Sequence, residues 1–142
     1  MPAAIDYPGL AQDAFNRRDL AALSALWSED FHYLAPGEET RGREAALRRE
    51  RGLFEAFPDL RADLSRNFAA GERLVIEGVL RGTHQGRLRL GDVELAPSGR
   101  AVVIEFTAVF RFADGLVQEE RVAFDRLGLL RQLGLAGAES ER

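Results

Sequence analysis

The change of hydrophobic period at Leu60 constrains this chain more than any other feature. Before it, apolar residues recur at helical spacing; after it, they alternate. Asp6 and Pro8 mark a first helix start, followed by Leu10, Ala14 and Phe15. Asp19 is a favoured cap for a second helix, with Leu20, Leu23, Leu26 and Trp27 at helical spacing. Phe31, Tyr33 and Ala35 alternate with His32 and Leu34, a short strand stopped at Pro36-Gly37. A third helix runs from about Arg43 to Phe57, closed by Pro58. Strands are then expected near Leu60–Ala69, Arg73–His84, Ala101–Ala113 and Leu116–Phe124, with Asp114-Gly115 as the hairpin turn between the last two. Gln85–Arg100, broken by Gly86, Gly91, Pro97 and Gly99, reads as a flap or short hairpin. Helices first and antiparallel strands after predict an α+β fold with helices on one face of the sheet. At 142 residues the chain is expected to form one domain, 1–142, with a frayed polar tail at 136–142.

The Ala101–Ala113 strand is apolar on both faces. Val102, Ile104, Phe106, Ala108, Phe110 and Phe112 share one; Val103 and Val109 lie on the other with Glu105, Thr107 and Arg111. The helices cover one face, and an open apolar face of that extent marks an interface. A homodimer through the outer sheet face is expected; a sheet curled enough to hide both faces is the alternative.

Several functions are disfavoured at once. The net charge of -4 argues against nucleic acid as a partner. No apolar run is long enough to span a bilayer, and the N-terminus shows no basic region followed by an apolar segment, so no membrane partner and a cytoplasmic location are expected. The absence of cysteine excludes disulfides and thiol chemistry, and with only His32 and His84 no multi-histidine metal site is expected. Phosphate-cradling glycine loops and the G-x-S-x-G nucleophile turn are absent.

The chemistry-bearing stretch is Val117–Gly134, a strand that becomes a helix with Asp125 at the join. By alternation Val117, Glu119, Arg121, Ala123 and Asp125 share one side, and Gln118, Glu120, Val122 and Phe124 the other. A carboxylate there, walled by Leu127, Leu130 and Leu133, can be desolvated, which raises its pKa towards neutrality; alternatively Asp125 simply caps the helix that starts at Arg126. His84 lies on the apolar face of its strand, as a satisfied core residue or as an acid–base group. Glu105 and Thr107 line a cavity if their face is the inner one. Arg121 stands too far along the strand to pair with Asp125, so it is expected to hold part of a ligand or to pair with Glu119 or Glu105. His32, Trp27, Phe54 and Phe57 can wall a pocket or pack an ordinary core.

Taken together, N-x-x-D-L-x-A-L-x-x-L-W at Asn16–Trp27, F-x-x-L-A-P at Phe31–Pro36, G-R-E-A near Gly42, F-P-D-L at Phe57–Leu60, G-T-H-Q-G at Gly82–Gly86, P-S-G-R at Pro97–Arg100 and F-D-R-L-G-L-L-R-Q-L-G at Phe124–Gly134 resemble the SnoaL-like polyketide cyclases. That family sits within the nuclear transport factor 2-like and ketosteroid isomerase-like fold group. Ser98 stands where threonine is commoner. The resemblance implies a cone-shaped α+β barrel, about three N-terminal helices packed on a strongly curved, mostly antiparallel sheet enclosing an apolar cavity. It implies an aspartate at the place of Asp125 as general acid/base in an aldol ring closure, a histidine (here His84) that polarises the substrate, and no metal or organic cofactor.

The expected activity is acid–base chemistry on a small apolar or aromatic carbonyl ligand, by cyclisation or isomerisation. Asp125 moves the proton, His84 donates a hydrogen bond to the enolate oxygen, and Arg121 anchors a polar substituent. Leu129, Leu130, Phe54 and Trp27 supply the desolvation; His32, Phe57 and Glu105 complete the binding set. The alternatives are a non-catalytic binding module for an apolar or aromatic metabolite, or an Asp/His water-activating hydrolase or dehydratase.

Overall fold

In the computed structural model, which describes residues 4–135, the period change at Leu60 separates helices from the long strands. The expected tail at 136–142 lies outside the described residues. Helix α1 (Tyr7–Asn16) buries Tyr7, Ala11, Ala14 and Phe15, the i, i+4, i+7, i+8 stripe of a helix lying on a core. Helix α2 (Leu20–Ser24) is capped by Asp19, whose carboxylate accepts from Ala22 N at 3.0 Å. Helix α3 (Arg43–Ala56) buries Ala46, Leu47 and Ala56. Two expectations shift. Trp27 is not on the second helix but opens strand β1 (Trp27–Ala35), where pairing with Val117 outweighs its helical spacing. The segment after Gly37 also forms a strand, β2 (Glu38–Arg41), too short and polar to show alternation.

Strands β3 (Arg61–Ala70), β4 (Arg73–Thr83), β7 (Ala101–Ala113) and β8 (Leu116–Phe124) join β1 and β2 in one curved sheet ordered β2-β1-β8-β7-β4-β3. Every neighbouring pair is antiparallel except β1 and β8. The broken segment forms a separate hairpin, β5 (Leu88–Leu90) and β6 (Val93–Leu95). Asp114 and Gly115 both take positive φ (54° and 77°), as a two-residue hairpin turn requires. The short helix α4 (Arg126–Gln132) closes the described chain.

A register shift corrects the face assignment of β8. Arg111 pairs with Glu119 but Phe112 pairs with Val117, so Gln118 is an extra residue. The bulge puts Val117 in the core, although alternation grouped it with Glu119 and Arg121. Val122 and Phe124 pack on the core from the same strand. On β7 alternation holds: Val102, Ala108, Phe110 and Phe112 are buried, whereas Glu105 and Thr107 are exposed.

Side-chain amides close backbone gaps where strands lack a neighbour. Asn16 accepts from Ala62 N (2.8 Å) and donates to Ala62 O (3.0 Å), and Gln12 accepts from Leu64 N (2.7 Å), along edge strand β3. Gln132 accepts from Val103 N (2.7 Å) and donates to Val103 O (2.9 Å), where β7 runs past the end of β8. Each amide presents donor and acceptor side by side, as a strand residue does. No helix among the described residues is long and apolar enough to cross a membrane.

Candidate active site

Between the inner sheet face, α1 and α3 lies a cavity of about 120 Å³. Its walls are mostly apolar and rich in rings: Tyr7 and Phe15 from α1, Trp27, Phe31 and Tyr33 from β1, Phe106 and Phe110 from β7. These rings fix one another. Trp27 stacks on Phe31 at 4.7 Å and 18°, and Tyr7 lies 5.0 Å from Phe110 and 5.5 Å from Phe112. The charged groups in the lining are Arg49 and Glu50 of α3 and Glu120 of β8.

Glu120 occupies the register position between Tyr33 of β1 and Phe110 of β7. Among the described residues no hydrogen bond is donated to its carboxyl. Burial, reinforced by Glu50 and only partly opposed by Arg49, pushes its pKa up to about 8. Glu50 is also raised by burial, against the pull of Arg49. Arg49 is held on three sides: Nε donates to Glu38 Oε1 at 2.9 Å, Nη1 to Glu50 Oε2 at 2.9 Å, and the guanidinium lies 4.2 Å over the Tyr33 ring. Burial acts against its charge, but Tyr33, Glu50 and Glu38 outweigh that and hold it protonated. Burial likewise raises the Tyr7 and Tyr33 phenols. The indole Nε1 of Trp27 is buried without a partner among the described residues.

Arg49 and Leu53 face a second space as well. On their other side an open groove of about 910 Å³ runs between α3, β2 and the β5–β6 hairpin. The cavity thus sits behind a two-residue partition from a solvent-facing cleft.

Of the residues expected in the site, Trp27 lines the cavity. Asp125 does not. It is exposed and caps α4, accepting from Gly128 N at 2.8 Å, so the helix end takes up its carboxylate. A Cβ at residue 128 would lie 2.5 Å from Asp125 Oδ2, which accounts for the glycine of that motif. His84 is fully buried but outside the cavity lining: Nδ1 accepts from Ser98 N (3.2 Å) and contacts Ser98 Oγ (2.9 Å), and the ring packs on Phe57 at 5.5 Å. Phe57 therefore belongs to this clamp rather than to the pocket. Phe54 packs on Phe15 (4.8 Å) with Arg18 over its other face (4.4 Å), one layer behind the cavity. On the outer side, His32 Nε2 contacts Glu39 Oε2 at 2.6 Å, and Arg121, exposed, donates to Glu119 at 2.8 Å. Glu105 lies in an outer-face hollow with Arg66 and Glu77. The expected grouping of Asp125 with His84, Arg121, His32, Phe54, Phe57 and Glu105 around one ligand is not formed.

Glu120, Glu50, Arg49, Tyr7 and Tyr33 were not singled out by sequence reasoning. One signal for them exists in the sequence: Glu120 shares a strand face with Val122 and Phe124, an acid on a side that otherwise turns inward.

Comparison with known proteins agrees with this architecture. The sequence model of the SnoaL-like polyketide cyclases matches residues 7–133. Among solved structures the chain is similar to AclR from Streptomyces galilaeus (27% identity, 92% of this chain and 95% of that one, TM-score 0.77). It is also similar to TsrD from Streptomyces laurentii (25%, 92% and 95%, 0.79). A SnoaL-like protein from Jannaschia sp. CCS1 (23%, 92% and 90%, 0.80) has the same fold. No curated protein matches the chain.

Proposed function

The chain belongs to the SnoaL-like polyketide cyclase family, and on that premise we propose that it carries out cofactor-free acid–base chemistry on a compact carbonyl compound, by ring closure or isomerisation, inside the aromatic cavity. Glu120 is the group that moves the proton. The observation that supports this reading is a half-buried carboxyl without a hydrogen-bond partner among the described residues, in a largely apolar cavity. Near neutrality such a group exchanges its proton readily, the condition for an efficient general acid or base. In its ionised form it removes a proton α to the carbonyl, and as the acid it returns one to the developing alkoxide or enolate. The apolar walls limit contact of the carboxyl with water, and Arg49, tied to Glu38 and Glu50, fixes the field around it.

Exchange of α-protons of small cyclic ketones in deuterated buffer, followed by NMR, tests this without knowledge of the natural substrate. The native protein is expected to accelerate exchange, Glu120→Gln to lose about 10²-fold or more, and Asp125→Asn to retain it. Exchange undiminished in Glu120→Gln removes the assignment. Loss in Asp125→Asn with the fold intact returns the role to Asp125.

A further inference from the structure

The charges around the cavity do not balance. Arg49 is compensated twice, by Glu38 and Glu50. Glu120 has no cation of its own, and no ion pair reaches it among the described residues. The groups that face it are Tyr7 from α1, Tyr33 from β1, and Arg49 and Glu50 from α3; β7 offers only phenylalanines and β4 only Leu80. A largely apolar cavity with two carboxyls and one already engaged guanidinium is short of one positive charge.

The walls are suited to supply a place for it. The faces of Trp, Tyr and Phe attract organic cations through the ring quadrupole, most strongly in a site removed from water. Seven aromatic residues line a space of about 120 Å³. That is somewhat smaller than the roughly 150 Å³ cavity known to hold benzene, so the occupant is compact. Apart from Tyr7, Tyr33, Glu50 and Glu120, the uncharged lining is hydrocarbon and aromatic ring, which favours an alkylated ammonium over a strongly hydrated one.

We propose that the molecule taken into this cavity carries a compact alkylammonium group, whose charge rests among the aromatic rings beside Glu120. The inference rests on reading the cavity as the ligand site and names the class of ligand that site takes. Without a ligand, Glu120 supplies its own neutrality by holding a proton. When the cation enters, Glu120 gives that proton to solvent and pairs as the carboxylate: one carboxylic acid and one alkylammonium become a carboxylate–ammonium pair plus one released proton. The same event leaves Glu120 in the basic form that proton abstraction requires, so entry of a cationic substrate would ready its own base.

Choline and 3,3-dimethylbutan-1-ol, its uncharged carbon isostere, serve as probes in calorimetric titrations of the full chain. Choline is expected to bind about tenfold or more tightly than the isostere, and its affinity to rise between pH 6.5 and 9. Titrations at pH 7 in two buffers of different ionisation enthalpy are expected to report proton release for choline and none for the isostere. Glu120→Gln, which keeps the side-chain shape, is expected to abolish the preference while the isostere still binds. Equal or tighter binding of the isostere to the native protein overturns the proposal, as does a choline preference unchanged in Glu120→Gln, or no binding of choline at all. Binding of the isostere alone leaves the acid–base reading standing, because α-proton exchange is measured separately on neutral ketones.

Discussion

Glu120 is half-buried and His84 fully buried, and their titrations shift stability in opposite directions. The Glu120 carboxyl is raised, by burial first and Glu50 second, to about 8. A raised folded-state pKa means the stabilising form is the protonated one, fully present below the unfolded value near 4.5 and lost as pH rises through about 8. The native protein should therefore be less stable than Glu120→Gln at pH 9, by on the order of a few kcal/mol, with the gap closing towards pH 5. Chemical denaturation at the two pH values measures it, and a gap that does not change with pH would contradict a buried, proton-holding Glu120. For His84 burial acts first and lowers the pKa below 6.5. Its neutral form accepts from Ser98 N, so its contribution is present above 6.5 and lost as pH falls through the depressed value. His84→Gln is expected to remove the part of the acid-side loss of melting temperature that falls between pH 6.5 and 5. Asp125 and His84 stood out in the sequence because their residue types suit catalysis and their motifs are compact. For Asp125 the deciding contact is local, the N–H of Gly128 three residues on, and makes it the cap that was the alternative reading; for His84 it is Ser98, across the hairpin segment.

Among the elements, the best-read parts were those whose information is local. The Ala101–Ala113 and Leu116–Phe124 strands, with Asp114-Gly115 between them, follow from alternation and from a turn that needs positive φ. Strand β2 did not follow because it is too short and polar to show alternation, and the start of β1 did not because its partner is remote: Trp27 is drawn into the sheet by Val117, ninety positions away. The extra residue at Gln118 breaks alternation with no marker of its own, and it is what separates the true inner set from the expected one. Two polar motif residues, Asn16 and Gln132, gain their meaning only at this scale. Each replaces a missing strand neighbour with a two-bond amide clip. Removing such a clip leaves a backbone N–H and C=O without partners, at about 1–3 kcal/mol where the site is partly buried. Asn16→Ala is expected to cost more than Gln132→Ala, since the Ala62 contact is partly buried and the Val103 contact is exposed. Urea denaturation of the two variants checks the order. Equal and negligible losses would mean that water replaces both clips at no cost.

For the molecule as a whole, the helices α1 to α3 lie on the inner face, and α4 reaches only the start of β7. The outer face of β3, β4 and β7 is left with Phe68 (63% exposed), Val103 (41% exposed), Val75, Val79 and Val109. Register places Phe68, Val75 and Val109 side by side in one row, and Arg66, Glu77 and Thr107 in the next. A twofold axis through this face would set the apolar row of one copy on that of the other and bring Arg66 of each towards Glu77 of its mate. Such an arrangement would be isologous, each copy offering the same rows to the other. Three strands about 4.8 Å apart, each running some 30 Å, present a footprint on the order of 430 Å², about half of the ~800 Å² per partner of a standard interface, which neighbouring segments would have to complete. A homodimer through the outer sheet face is therefore expected, and Phe68→Asp, which adds a charge at the apolar row without touching the core, is expected to yield a monomer with an unchanged cavity. Light scattering at micromolar concentration distinguishes the cases. A monomeric native protein would mean that the charges flanking the row keep this face in water. Because the cavity opens on the opposite side of the sheet, α-proton exchange should be the same in Phe68→Asp as in the native protein.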